Sequence, residues 1–199
     1  KVQCQNCAHY CVVSNGKRGI CGVRENRDGK LYSLVYGKPC AINIDPIEKK
    51  PLYHFLAGTY SLSIATVGCN FSCLNCQNWE ISQAPKAGGE QFSAEFGGEL
   101  FSPKFSPEKI VKMALKNNLP SISYTYTEPA VFSEYALDTM KLAKKAGLKN
   151  IWVSNGFWSK ELFDLISPYL DATNIDLKGF DDKFYMKYCG GKLQPVLDT

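Results

Sequence analysis

The sequence predicts an α/β fold built on parallel strands, and three observations carry that prediction. From residue 61 onward, apolar strand-like runs alternate with amphipathic helical runs in the order β, loop, α, β, α, β, α, β, α, the pattern of β/α units on a parallel sheet. The strand runs are apolar, as strands covered on both faces are. Each of them ends in a thiol or an unusual polar group, which places a functional mouth at the strand C-termini. A doubly wound sheet and part of a β/α barrel both satisfy this pattern.

The elements follow in order. SLSIATVG (61–68) is the first strand and runs into a cysteine loop. Residues 84–103 are Gly-rich and irregular, a long loop of the kind that is usually functional. Ser106 caps the next helix, with Pro107 at its first position and Glu108 in its first turn. That helix turns Ile110, Val111, Ala114 and Leu115 inward. SISYTY (121–126) is a strand, and the helix over 132–147 is closed by Gly147. NIWVSN (150–155) is a strand, and the helix over 159–170 starts from an N-cap Ser159. ATNIDL (172–177) is the last strand, and 181–189 begins a further helix.

Residues 1–60 have a different texture: short, turn-rich and basic, with brief β-like pieces at 31–36 and 40–44. DPIEKKPLYHF (45–55) leads out of this segment and reads as a surface connector. The chain therefore divides into a Cys-rich segment at 1–60 and a β/α region at 61–199. It opens on Lys1, and its last ten residues run into what looks like a helix, so a continuation beyond the C-terminus is expected.

Composition narrows the function. With 45% hydrophobic and 21% charged residues the chain is ordinary globular protein. The formal charge of +4 is scattered, which argues against a nucleic-acid partner. No run approaches the ~18 apolar residues of a membrane span. The nine cysteines are clustered and not spaced like a disulfide framework. A reducing, oxygen-poor cytoplasm is the expected compartment.

Cys69, Cys73 and Cys76 stand at C-x3-C-x2-C spacing directly after the first strand. Structural zinc sites and most iron–sulfur clusters are closed by four protein ligands. Three thiolates leave one iron of a [4Fe-4S] cluster open to a small molecule; a zinc site completed by a fourth residue is the blander alternative. A second set, Cys4, Cys7, Cys11 and Cys21, has C-x2-C-x3-C-x9-C spacing. It would hold zinc or a second cluster, with His9 able to replace one thiolate. Residues 1–45 carry too little apolar surface to fold unaided, and a bound metal supplies folding energy, which favours a closed structural site.

The cysteine triplet after a strand resembles the radical S-adenosylmethionine (SAM) enzymes. CNFSCLNCQNWEISQ, DPIEKKPLYHF, SYTYTEPAVFSEYALD, VSNGF and NIDLKGF together resemble the radical SAM component of the AmmeMemoRadiSam system, which is related to pyruvate formate-lyase activating enzymes. The resemblance covers nearly the whole chain. It implies a partial (β/α)6 barrel, of which this chain carries the first four units and is C-terminally incomplete. It also implies a [4Fe-4S] cluster on Cys69, Cys73 and Cys76 whose open iron chelates SAM. One electron then cleaves the sulfonium, and the resulting 5′-deoxyadenosyl radical abstracts hydrogen from a substrate.

Carried over residue by residue, Glu128 with Thr127 beside it matches the stretch that binds the SAM amino group. The literal Gly-Gly-Glu strings at 88–90 and 97–99 are decoys. Ser154 and Asn155 match a ribose contact, Asp176 and Lys178 match a D-x-K contact to SAM or substrate, and Gln77 and Asn78 donate to the cluster or SAM. One departure concerns adenine packing: the residue before the third cysteine is commonly aromatic and here is Asn75. The implied partners are a protein substrate or the AmmeMemo proteins, and a reductant such as ferredoxin or flavodoxin. The rival expectation is a non-catalytic iron–sulfur or zinc module for electron transfer or complex assembly.

Overall fold

The computed structural model describes residues 1–86 and 105–199; the Gly-Gly-Glu strings lie outside the described residues. The N-terminal segment holds two antiparallel hairpins, β1 (Val2–Gln3) with β2 (Val12–Val13) and β3 (Arg24–Arg27) with β4 (Lys30–Ser33). The central sheet has five strands: β5 (Ala41–Pro46), β6 (Tyr60–Ala65), β7 (Ser121–Tyr124), β8 (Lys149–Ser154) and β9 (Ala172–Ile175). β5 runs antiparallel to β6, and β6 to β9 are parallel. Strand order follows chain order without reversal, so these strands contain no topological switch point of the doubly wound kind.

The sheet thus begins ahead of residue 61, because the β-like piece read at 40–44 pairs along the full edge of β6, Ala41 opposite Ala65 and Pro46 opposite Tyr60. The helices are α1 (Trp79–Gln83), α2 (Pro107–Lys116), α3 (Ser133–Lys145), α4 (Lys160–Ile166), α5 (Asp182–Phe184), which continues as a π-helical turn over Tyr185–Cys189, and α6 (Gln194–Asp198). The caps act as read: Ser106 accepts from the Lys109 amide and Ser159 from the Leu162 amide. α4 stops short of 170 because Pro168 cannot continue the α-helical ladder; the chain passes into a 3-10 turn at Ser167–Tyr169. In α2, Ile110, Val111 and Ala114 are buried, but Leu115 sits at the edge of the apolar stripe and stays exposed. Among the described residues no helix is long and apolar enough to cross a membrane.

The two faces of the sheet differ. Leu62, Ile64, Ile122, Tyr124 and Trp152 share one core with Ile110, Ala114, Tyr135, Ala136 and Met140 of α2 and α3. The alternate positions Ser61, Ser63, Ser121 and Ser123 are buried and small, and Ser61 Oγ hydrogen-bonds Ser123 Oγ at 2.7 Å. The period of two along each strand produces this division.

Candidate active site

The cysteine loop starts where β6 ends. Gly68 has φ +99°, and a Cβ there would meet Val23 Cγ1 at 2.7 Å and the Cys21 carbonyl at 3.1 Å. The chain thus turns out of the sheet flush against the N-terminal segment, a turn only glycine makes without strain. The loop is then braced from the other end of the chain. Ser72 N donates to Cys189 O at 2.8 Å, and Leu74 N to Tyr188 O at 2.9 Å. Phe71 is buried against Phe157 and Tyr185, with ring centroids at 5.0 and 6.0 Å. α1 returns towards the loop, bringing Ser82 Oγ to 3.3 Å from Cys76 Sγ and letting Gln83 Nε2 donate to Phe71 O at 3.0 Å.

Cys69, Cys73 and Cys76 are free thiols and line one cleft of about 610 Å³ at the C-terminal ends of the parallel strands. The same cleft is lined by Gln77 and Asn78 beyond the third cysteine, Thr127 after β7, Ser154 and Asn155 at the end of β8, and Asp176 and Lys178 after β9. The polar strand-end residues therefore do share one mouth. Asn78 Nδ2 donates to Tyr126 O at 3.3 Å, Thr127 Oγ1 to Thr66 O at 2.8 Å, and Lys178 Nζ pairs with Asp176 at 2.8 Å. Asn155 Nδ2 donates to Asn70 Oδ1 at 2.7 Å and lies 4.0 Å from Cys69 Sγ.

Glu128 stands apart from this set. The sequence reading puts it in the cofactor site, but its carboxylate lies behind the cleft wall, fully buried. Oε1 accepts from Ala130 N at 3.0 Å and from Ser154 Oγ at 2.8 Å, and Oε2 accepts from Asn155 N at 2.9 Å. Two of its three donors, Ser154 and Asn155, belong to the residues that do line the cleft. Burial is the largest influence on it and raises its pKa, opposed by the amides of Asn155 and Ala130.

Sequence reasoning missed the group built from DPIEKKP. Asp45 on β5 faces the small side of the sheet opposite Ser61. It accepts from Lys50 Nζ at 2.8 Å, from Lys49 Nζ at 2.9 Å and from the Tyr126 hydroxyl. Lys50 is only 1% exposed, and its ammonium lies 4.9 Å from the Tyr126 ring centroid. Lys49, Lys50 and Tyr126 all line the cleft. Burial alone would raise the Asp45 pKa, but its donors Lys50, Tyr126 and Lys49 together hold it well below the usual carboxylate range. The signal was an acid with two lysines four and five residues on, yet nothing local showed that the acid sat on a strand.

Burial pushes the Cys69 thiol up, with Glu128 adding to it. Burial likewise pushes Cys73 up to about 12, and neighbouring Cys189 contributes. Lys86 and Lys178 pull the other way, Lys86 on Cys69 and Lys178 on Cys73. Among the described residues no three Cys, His, Asp or Glu side chains already stand at metal-binding separation. The donor chemistry nonetheless suits a cluster. Three unpaired thiols of one short loop face one cleft, Phe71 N points at Cys69 Sγ from 3.4 Å, and cations flank the sulfurs. Hydrogen bonds to ligand sulfur are one of the levers by which proteins tune such clusters.

Residues 63–199 match the family model of the radical SAM superfamily. The chain belongs to the radical SAM superfamily. It is 46% identical over 199 residues to an uncharacterized protein of Methanocaldococcus jannaschii, covering 100% of this chain and 56% of that one. A second uncharacterized protein of the same organism is 26% identical over 196 residues, 97% of this chain and 49% of the relative. A third relative from that organism, provisionally named a glycyl-radical enzyme activating enzyme, is 27% identical over 143 residues, 69% of this chain and 47% of its own length. The chain thus spans about half the length of the curated relatives it matches. In this radical SAM chain the family match begins inside β6 and includes the cysteine loop and every strand-end residue of the cleft.

Proposed function

We propose that this radical SAM protein binds a [4Fe-4S] cluster through Cys69, Cys73 and Cys76 and cleaves SAM reductively to start hydrogen abstraction. The observation that carries the proposal is the cleft itself: three free thiols and the polar ends of β7 and β8 and of the β9 turn open onto about 610 Å³ of shared space. An electron-transfer module has no use for such a space. When bound, the cluster supplies the electron that splits the sulfonium of SAM, and the chemistry belongs to that cofactor pair. The chain's own residues bind and shield. Gln77, Asn78 and Thr127 offer donors on one wall and Ser154 and Asn155 on the other. Asp176 and Lys178 add a paired carboxylate and ammonium at the rim, suited to the zwitterionic end of an amino acid. Glu128 acts as a positioning residue, fixing Ser154 and Asn155 from behind.

The unreversed order of the parallel strands and their small inner face support a partial β/α barrel. The 27% identity to the provisionally named activating enzyme supports an activating-enzyme-like oxidoreductase, and the spaced motifs support the AmmeMemoRadiSam branch. The substrate would then be a protein or a small molecule met with the AmmeMemo proteins in the cytoplasm, with ferredoxin or flavodoxin as reductant. The test is anaerobic reconstitution with iron and sulfide, followed by EPR of the dithionite-reduced protein with and without SAM. The expected result is a [4Fe-4S]⁺ signal that shifts on adding SAM, with 5′-deoxyadenosine released. A signal indifferent to SAM overturns the proposal.

A further inference from the structure

The fold gathers a second set of thiols that the proposed reaction does not use. Cys4, Cys7, Cys11 and Cys21 all line one small enclosed cavity together with His9 and Arg24. All four are free. They come from separate turns of the segment, and its backbone folds to bring them to one cavity, short of metal-binding separation, so a bound ion would draw them inward. The β1–β2 hairpin sets Cys4 N on Cys11 O at 2.8 Å. His9 lines the same cavity; its Nε2 sits 2.9 Å from the Asn70 carbonyl, which leaves Nδ1 as its only ring nitrogen with ligand capacity.

We infer that Cys4, Cys7, Cys11 and Cys21 form a closed, four-thiolate site for a single divalent metal ion of the zinc class, distinct from the cluster loop. Four thiolates complete a tetrahedron and leave no open position, which is the signature of a structural site. Size separates this reading from a second cluster. The free space in the cavity is about 20 Å³, room for roughly one water-sized body, against about 610 Å³ in the main cleft. That space favours one ion drawn in by the four sulfurs over a cubane of irons and sulfides.

The site also has a mechanical consequence. The segment it would hold together is fastened across three of the loops that build the cleft. The Cys21 carbonyl packs against Gly68, and His9 meets Asn70. Asn6 donates to Ala130 O at 3.3 Å, and Arg24 forks onto Glu134, with Nη1 at 2.5 Å from Oε1. Ala8 N donates to Phe157 O at 3.3 Å, and Ser159 Oγ donates to Gln5 O. A metal that closes residues 4–21 therefore acts as a clasp behind the ends of β6, β7 and β8.

The experiment is metal analysis of the purified protein in which Cys69, Cys73 and Cys76 are all replaced by Ala, after exposure to zinc and, separately, to iron and sulfide. The expected result is about one zinc per chain and no bound iron; adding Cys7→Ser to that protein should lower zinc content at least tenfold. If the Cys7→Ser protein does not fold, cobalt loaded in place of zinc reports directly. Thiolate-to-cobalt charge transfer and tetrahedral d–d bands are then expected from the triple-alanine protein. About four irons with matching sulfide in that protein would overturn the zinc assignment in favour of a second cluster. A folded triple-alanine protein that retains neither zinc nor cobalt would overturn the site altogether.

Discussion

Glu128→Gln separates a carboxylate that faces the cleft from one that serves its wall. Oε1 accepts from Ala130 N and Ser154 Oγ, and Oε2 accepts from Asn155 N. A glutamine can keep the Oε1 pair, but its amide nitrogen must then meet the Asn155 N–H donor to donor. One buried donor is left unsatisfied, which costs about 1–3 kcal/mol. With a urea slope of about 2 kcal/mol per M, the midpoint should fall by roughly 0.5–1.5 M with the slope unchanged. Glu128→Ala, which orphans all three donors, should fall further. Proton linkage gives a second readout. Burial raises the folded-state pKa of Glu128, so the folded chain binds its proton more tightly than the unfolded chain. The group therefore favours folding below the unfolded carboxylate value near 4.3, and that advantage is lost as pH rises through the higher folded value. Glu128→Gln should remove this component of the pH profile. If the variant unfolds at the wild-type midpoint, keeps the wild-type profile and loses only SAM binding, the carboxylate points into the cleft and the positioning role is wrong.

Lys50→Met strips the most buried donor from Asp45 and should cost about 3 kcal/mol, read by chemical denaturation, since breaking a buried pair leaves a charge underpaired. The same cluster sets an acid limit. Asp45 is held below the usual carboxylate range, so its contribution is fully present above the unfolded value near 3.9 and is lost as pH falls. The stability gap between wild type and Asp45→Asn should accordingly narrow below about pH 4. Gly191→Ala puts a Cβ 2.3 Å from Phe71 Cε1; overpacking of about 1–3 kcal/mol is expected, with loss of iron from the neighbouring cysteine loop measured after reconstitution. Asn155→Ala removes the donor to Asn70 and the side-chain amide that lies 4.0 Å from Cys69 Sγ. The measurement is the reduction potential of the reconstituted cluster, which should shift if that amide tunes the sulfur.

What was legible in the sequence was what repeats or is spaced locally. The strand–helix alternation is a period that any window can read, and the sheet from Tyr60 to Ile175 follows it. Ser106 and Ser159 reveal helix starts because a cap is defined by its own next three residues. The cysteine triplet was legible for the same reason. Asp45 was not, because its meaning depends on register: β5 must pair with β6 before the acid meets Lys50 and the Tyr126 hydroxyl, and no local pattern announces an antiparallel strand ahead of a parallel sheet. Glu128 shows the opposite failure. Its place after β7 was readable, but the direction of its carboxylate is decided by three donors, two of them from β8 and the residue after it, and a position at a strand end does not say which side of the wall a side chain takes.

The same limit explains why the N-terminal segment looks like an appendage in the sequence and is a wall of the site in the fold. Its own apolar content is low, so read by itself it would be marginal. Its buried residues are instead spent at long range. Val23 packs under Gly68, and Arg24, 3% exposed, pairs through both Nη atoms with Glu134 of α3. A segment that owes its order to the loops after β6, β7 and β8 must in turn restrict those loops. Stiffening a loop of three thiols lowers the entropy lost when they close on a cluster, so the segment and the cluster loop should gain stability from each other. Iron loading of Cys69, Cys73 and Cys76 should therefore fall when Arg24→Met loosens the segment, although Arg24 touches none of the three. Unchanged iron affinity in a folded Arg24→Met protein would show that the two parts only lie side by side.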